Sequence, residues 1–123
     1  MITNVLWIIV WGGIGSACRY LLSTLATKWF GSGLAWGTLG VNLSGCFLIG
    51  LMYSLAERHL LPPSSRLIFM SGFLGGLTTF SAYALDSVNY FRNAEFVAGF
   101  LNLAVNNFGG LLLVLVGIWI GRL

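Results

Sequence analysis

The stretch Ser71-Gly72-Phe73-Leu74-Gly75-Gly76-Leu77-Thr78-Thr79-Phe80-Ser81-Ala82-Tyr83-Ala84-Leu85-Asp86 decides the fold. It lies in an uncharged run from Leu67 to Leu85, nearly the length a helix needs to cross a bilayer. Yet Gly-Gly followed by Thr-Thr in mid-span is poor helix chemistry. Glycine costs about 1 kcal/mol against alanine in a helix interior, and threonine loses side-chain freedom against the preceding turn. Gly75 and Gly76 permit backbone turns that other residues resist. The run therefore predicts a spanning helix broken at Gly75–Thr78. A break frees carbonyls and amides, which hydrocarbon tolerates only where they are buried in protein or line a cavity, and such breaks are common ion sites. Gly72 and Gly76 also form a GxxxG pair, so a close crossing with another helix competes as the explanation.

The rest of the chain has the same character. Of 123 residues, 58% are hydrophobic and 7% charged, against about 25% charged in a soluble domain. An ordinary soluble enzyme and a disordered chain are both excluded. Charges fall between apolar runs, giving four spans near 4–26, 35–56, 67–91 and 96–121 of a single all-α membrane domain, 1–123. Pro62-Pro63 blocks a continuous helix through the second connection. The first span has no basic leader, so it reads as a span and not as a cleaved signal. Six basic residues scattered singly make no nucleic-acid patch. Cys18 and Cys46 lack metal-site spacing and read as small packing residues. No Ser-His-Asp set, HExxH or acid pair is present, so the chain is read as no enzyme. With four spans, one side carries Arg58, Arg66 and Arg122 and the other Lys28 and Arg92. That near-balance allows insertion in both orientations.

Polar groups sit where lipid would be expected. Arg19 lies in or near the end of the first span, either snorkelling or facing a partner. Thr38, Asn42 and Gly45 share a face of the second span, and Asn106-Asn107 lies mid-way through the fourth. Buried amides need partners or water. Phe80 and Tyr83, three apart, share a helix face, and aromatic edges are electropositive.

With these residues in view, the sequence resembles the Fluc (CrcB) fluoride channel family over essentially its whole length. The resemblance rests on Gly12-Gly13-x-Gly15-x-x-x-Arg19-Tyr20, on Gly37-Thr38-Leu39-x-Val41-Asn42-x-x-Gly45 and above all on Gly75-Gly76-Leu77-Thr78-Thr79-Phe80-Ser81. It implies an antiparallel, dual-topology homodimer in the cell inner membrane that exports fluoride passively to relieve its toxicity. It also implies a structural sodium ion at the dimer interface, held by backbone carbonyls of Gly75 and Thr78. The implied fluoride pathway is Asn42, Phe80, Tyr83, Thr38, Ser81 and Asn106, with Arg19 as a vestibule or structural charge. The expected partners are thus fluoride, sodium, lipid and a second copy, with no nucleic acid.

The departures lie in the pore. Phe80-Ser81-Ala82-Tyr83-Ala84 replaces the Phe-Ser-Thr-Phe-Ser of the family, Asp86 stands near an acidic position, and Asn106 replaces a serine. Tyr83 is expected to keep its ring edge toward the ion path with its hydroxyl bonded to a polar neighbour. On that reading, Tyr83→Phe should conserve or raise flux. Two other classes compete. A small dual-topology multidrug transporter needs an acid in its first span, and residues 1–27 contain none. A non-transporting membrane accessory protein would show no flux.

Overall fold

The computed structural model describes residues 1–123, all helix and short connection. Four helices are long and apolar enough to cross a membrane: Ile2–Phe30, Trp36–Glu57, Pro63–Arg92 and Phe96–Arg122. They extend the expected spans by a few residues at most ends. The first, with 29 residues, is about 43 Å long at 1.5 Å per residue, enough for a tilted crossing.

The connections are short and locally specified. Gly31 ends the first helix at φ 80°, with its N–H donating to Thr27 O. The Tyr90 hydroxyl at the far end of the third span accepts from Ala35 N–H at 2.6 Å, which ties down the first connection. His59 and Ala94 take left-handed conformations, φ 58° and 59°, just past the ends of their helices. The next N–H in each case reaches back five residues, Leu60 to Leu55 O at 3.0 Å and Glu95 to Tyr90 O at 2.8 Å, the Schellman pattern of helix ending. Pro63 opens the third span, where a missing N–H is harmless. Arg58 donates to Gly121 O at 2.8 Å, fixing the second connection to the end of the fourth helix.

Packing is inverted relative to a soluble protein. Leu6, Ile9, Leu111 and Leu115 are exposed, and the buried apolar side chains are only Val41, Leu74, Leu77, Tyr83 and Tyr90. Lipid is as apolar as leucine, so close approach of small residues holds the helices together. Two glycine-lined crossings result. At the first, a side chain at Gly15 would strike Phe73 O, and one at Gly76 would strike Gly12 O. At the second, Gly50 sits on Val114 O, Gly117 on Phe47 O, and Gly121 on Ser54. The first crossing seats the third span against the first helix, and the second clamps the second span to the fourth.

The third span is broken, but not at the glycines. Gly75–Leu77 is helical, with Gly75 at φ −61°, ψ −37°. The chain leaves the helix at Thr78, φ −84°, ψ 154°, and Thr79, φ −149°, ψ 115°. The expected break at Gly75–Thr78 is therefore corrected to Thr78–Thr79. The physical reason is that Gly76 lacks a side chain for the sake of the crossing, while Gly75 stays within the helix with only Met70 O near it. Gly72 and Gly76 both face the first helix, so the close-crossing explanation holds for them. The β-branched threonines adopt the extended conformation, and Thr79 begins a new helix by accepting from Ala82 N–H at 3.1 Å. A wide π-type turn over Ile68–Leu74 precedes the break, and a second occupies Val105–Gly109 in the fourth span. Neither has a signature in the sequence.

Candidate functional site: a polar seam at the helix break

The break brings Asn42 into use. Its carbonyl oxygen accepts from Thr79 N–H at 2.8 Å, and its amide nitrogen donates to Thr79 O at 3.0 Å. One side chain replaces both helical rungs that Thr79 has lost. Because Thr79 N–H can only donate and Thr79 O can only accept, the orientation of the amide is fixed. The same nitrogen donates to Asn106 Oδ1 at 3.3 Å. Gly45, one turn along, has no side chain because Thr78 Cγ2 occupies that space. The second span thus cradles the break through Asn42 and Gly45.

From Asn42 a chain of bonds runs one way. Asn106 donates to Asn102, at 2.8 Å to its backbone oxygen and 3.1 Å to its side-chain oxygen. Asn102 donates to Ser87 Oγ at 2.9 Å, and Ser87 donates to Tyr83 O at 2.8 Å. Such aligned donors polarise one another in a low-dielectric interior. Asn102 and Ser87 are both buried.

The aromatic pair stands beside this seam. Phe80 and Tyr83 rings lie 5.5 Å apart at 62°, edge toward face. Phe80 is 79% exposed in the single chain and Tyr83 only 8%. The Tyr83 hydroxyl accepts from Asn107 Nδ2 at 2.7 Å, so it has the polar neighbour expected of it. Asn42, Thr78, Thr79, Phe80, Tyr83, Asn106 and Asn107 line one groove of about 350 Å³, together with Gly75 and Cys46 and no charged residue.

Three expected residues lie outside this groove. Thr38 is one turn before Asn42 and sits beside Asp86. Ser81 is exposed, with its hydroxyl 3.4 Å from Thr79 Oγ1. Arg19 is half-buried on the first helix, and its Nε is buried without a partner. No acidic group pairs with it, since the one ion pair is the exposed Arg122–Glu57 contact at 3.5 Å.

Besides Thr79 O, the carbonyls of Gly75 and Thr78 lose their helical donors at the break. Thr79 N–H, which would bond Gly75 O, goes to Asn42. Ala82 N–H, which would bond Thr78 O, goes to the Thr79 hydroxyl. Both oxygens belong to residues lining the groove.

Residues 6–118 match the family model described as CrcB-like protein, Camphor Resistance (CrcB). The chain belongs to the CrcB family. It is 42% identical over 114 residues, 93% of this chain and 86% of the relative, to a protein of Salinibacter ruber named fluoride-specific ion channel FluC. Proteins with the same name from Maridesulfovibrio salexigens and Shewanella amazonensis are 37% and 39% identical over 119 residues each. They cover 96% and 97% of this chain and 94% and 93% of their own lengths.

Within this CrcB chain, sequence reasoning passed over Asn102 and Ser87, and it marked Asn107 only as a mid-span amide without a place in the pathway. A signal existed for the first two. Asn102 stands four residues before Asn106, and Ser87 four after Tyr83, so each pair shares a helix face. Asn107 had no such signal. Adjacent residues on a helix diverge by about 100°, and within the wide turn around 105–109 Asn106 meets Asn42 while Asn107 meets Tyr83.

Proposed function

We propose that this multi-pass membrane protein is a passive, fluoride-selective channel. The observation that carries the reading is the uncharged polar seam at the Thr78–Thr79 break, set against the Phe80–Tyr83 edge pair in a chain of four lipid-spanning helices. The relatives named fluoride-specific ion channel FluC support the choice of ion. Fluoride is small and strongly hydrated, so its path must offer close hydrogen-bond donors and ring edges in place of water. A fixed positive side chain would hold the ion too tightly, and conduction needs binding weak enough to release it. The groove meets that condition, having no Arg or Lys in its wall.

The working unit in this proposal is an antiparallel, dual-topology homodimer in the cell inner membrane, exporting fluoride down its gradient. Two features support it. Loop charge is nearly balanced between the two sides. Gly75, Phe80 and Asn107 are exposed in the single chain, so a second copy can supply the missing wall of the groove.

The Gly75 and Thr78 carbonyls fit the structural sodium of this proposal. They are neutral hard oxygens stripped of their helical donors, and unpaired carbonyls in a membrane need a partner. Two from each of two chains suit a monovalent ion better than calcium, which takes six to eight oxygens. Such an ion would contribute positive potential near the path without a charged side chain in it.

Purified protein in liposomes should release trapped fluoride and retain trapped chloride. Comparable loss of both ions, or of neither, would contradict the proposal. A cysteine appended after Leu123, in a chain lacking Cys18 and Cys46, should react with impermeant reagent from both faces of the membrane. Reaction from one face only removes dual topology. Replacing sodium by a bulky organic cation should lower the melting temperature of the detergent-solubilised protein, and an unchanged melt counts against the ion.

A further inference from the structure

The donors along the groove are almost all committed within the chain. Asn42 gives its amide protons to Thr79 O and Asn106 Oδ1. Asn106 gives its own to Asn102. Thr78 donates its hydroxyl to Leu74 O at 2.9 Å, and the Thr79 and Ser81 hydroxyls lie 3.4 Å apart and share one hydrogen bond, which leaves one proton of that pair free. Apart from that pair, these groups build the wall of the groove with no free proton to offer an ion passing along it.

Tyr83 differs, and Asn107 is the reason. The Asn107 Nδ2 group donates at 2.7 Å to Leu103 O and at 2.7 Å to the Tyr83 oxygen. A backbone carbonyl only accepts, so the contact with Leu103 forces the NH₂ side of this amide toward both partners. The phenol oxygen is therefore an acceptor from Asn107. Its own proton must point elsewhere, and no group of the chain takes it. Both Tyr83 and Asn107 line the groove. An O–H whose oxygen already accepts a hydrogen bond is a stronger donor.

We propose that the Tyr83 hydroxyl is a direct hydrogen-bond donor to the permeating anion, and that Asn107 is the positioning residue that aims it. The inference rests on the fluoride reading above. It reverses the expectation that Tyr83→Phe conserves flux. Phenylalanine keeps the ring and its edge contact with Phe80 but removes the uncommitted proton that Asn107 directs. Asn107→Leu keeps the phenol but removes the donor that fixes where its proton points.

Fluoride efflux from liposomes, with chloride as control, tests this on wild type, Tyr83→Phe, Asn107→Leu and the double variant. A hydrogen bond to a charged partner is at stake, so Tyr83→Phe should slow fluoride efflux about tenfold or more. Asn107→Leu should slow it in the same direction. The double variant should match Tyr83→Phe alone, a non-additivity that loss of packing would not produce. Unchanged flux in Tyr83→Phe overturns the donor role, and additive losses in the double overturn the positioning role. If Asn107→Leu gives no folded protein, Tyr83→Phe decides the donor role, and Asn107→Ala tests the positioning role, because it removes the donor to the phenol oxygen without adding charge to the groove and should slow flux only when Tyr83 is present. Absence of fluoride efflux from wild type would instead strike at the channel reading itself.

Discussion

Asn42→Leu should abolish fluoride efflux and destabilise the protein together. Leucine nearly fills the volume but leaves Thr79 N–H and Thr79 O both unpaired at a buried break. Each such group costs about 1–3 kcal/mol, so the loss is about 2–6 kcal/mol, a large share of the stability of an ordinary domain. Asn106 loses its donor as well. Asn42→Asp separates the two effects. The carboxylate still accepts from Thr79 N–H but faces Thr79 O and Asn106 Oδ1 without a proton to give either. It also places negative charge on an anion's path. Asn42→Asp should therefore lower the melting temperature less than Asn42→Leu while eliminating flux just as fully, by a hundredfold or more on the scale of about 1.4 kcal/mol per tenfold. Thermal melting in detergent and liposome efflux on the same preparations check this. A leucine variant with native melting and native flux would remove Asn42 from the account of the break.

Gly76→Val should prevent assembly of the fold. Even the first carbon of a side chain at Gly76 meets Gly12 O and lies 3.0 Å from Ser16 N. These are backbone atoms within a helix and cannot swing aside, so the first and third spans must separate along the crossing. Overpacking costs about 1–3 kcal/mol where neighbours can yield. Here the loss also spreads to Gly15 on Phe73 O and to the position of Thr78 two residues on. The expected result is aggregation or loss of a discrete solubilised species by size-exclusion chromatography. Gly33→Ala, at a glycine with nothing within 4 Å and no unusual backbone angle, should behave as wild type. A well-dispersed, active Gly76→Val protein would show that this crossing is not required.

The amino-acid sequence by itself determined the solvent and the element count. Nine charges in 123 residues cannot clothe a soluble surface, and their placement divides the chain into four crossings. It also announced that the third span is interrupted, because Gly-Gly-Leu-Thr-Thr suits no straight helix. It marked Asn42 and Asn106 as out of place in lipid and Phe80 and Tyr83 as rings on one helix face, and the fold gathers these four into one groove. Where the interruption falls was decided only by tertiary structure. Glycine is compatible both with a turn and with a close crossing, and the presence of Gly12 and Gly15 on the first helix assigns Gly76 to the crossing. The threonines then take the break, since Asn42 on another helix satisfies the backbone of Thr79. The roles of the amides were likewise open. Sequence shows that Asn42 and Asn106 can donate, but which protons are already committed depends on acceptors 37 and 64 residues away in the chain. The same limit hid the partner of Asn107, whose contact with Tyr83 spans 24 residues. Local composition sets which residues must leave the lipid, whereas the pairing of donors with acceptors is a long-range property of how the helices cross.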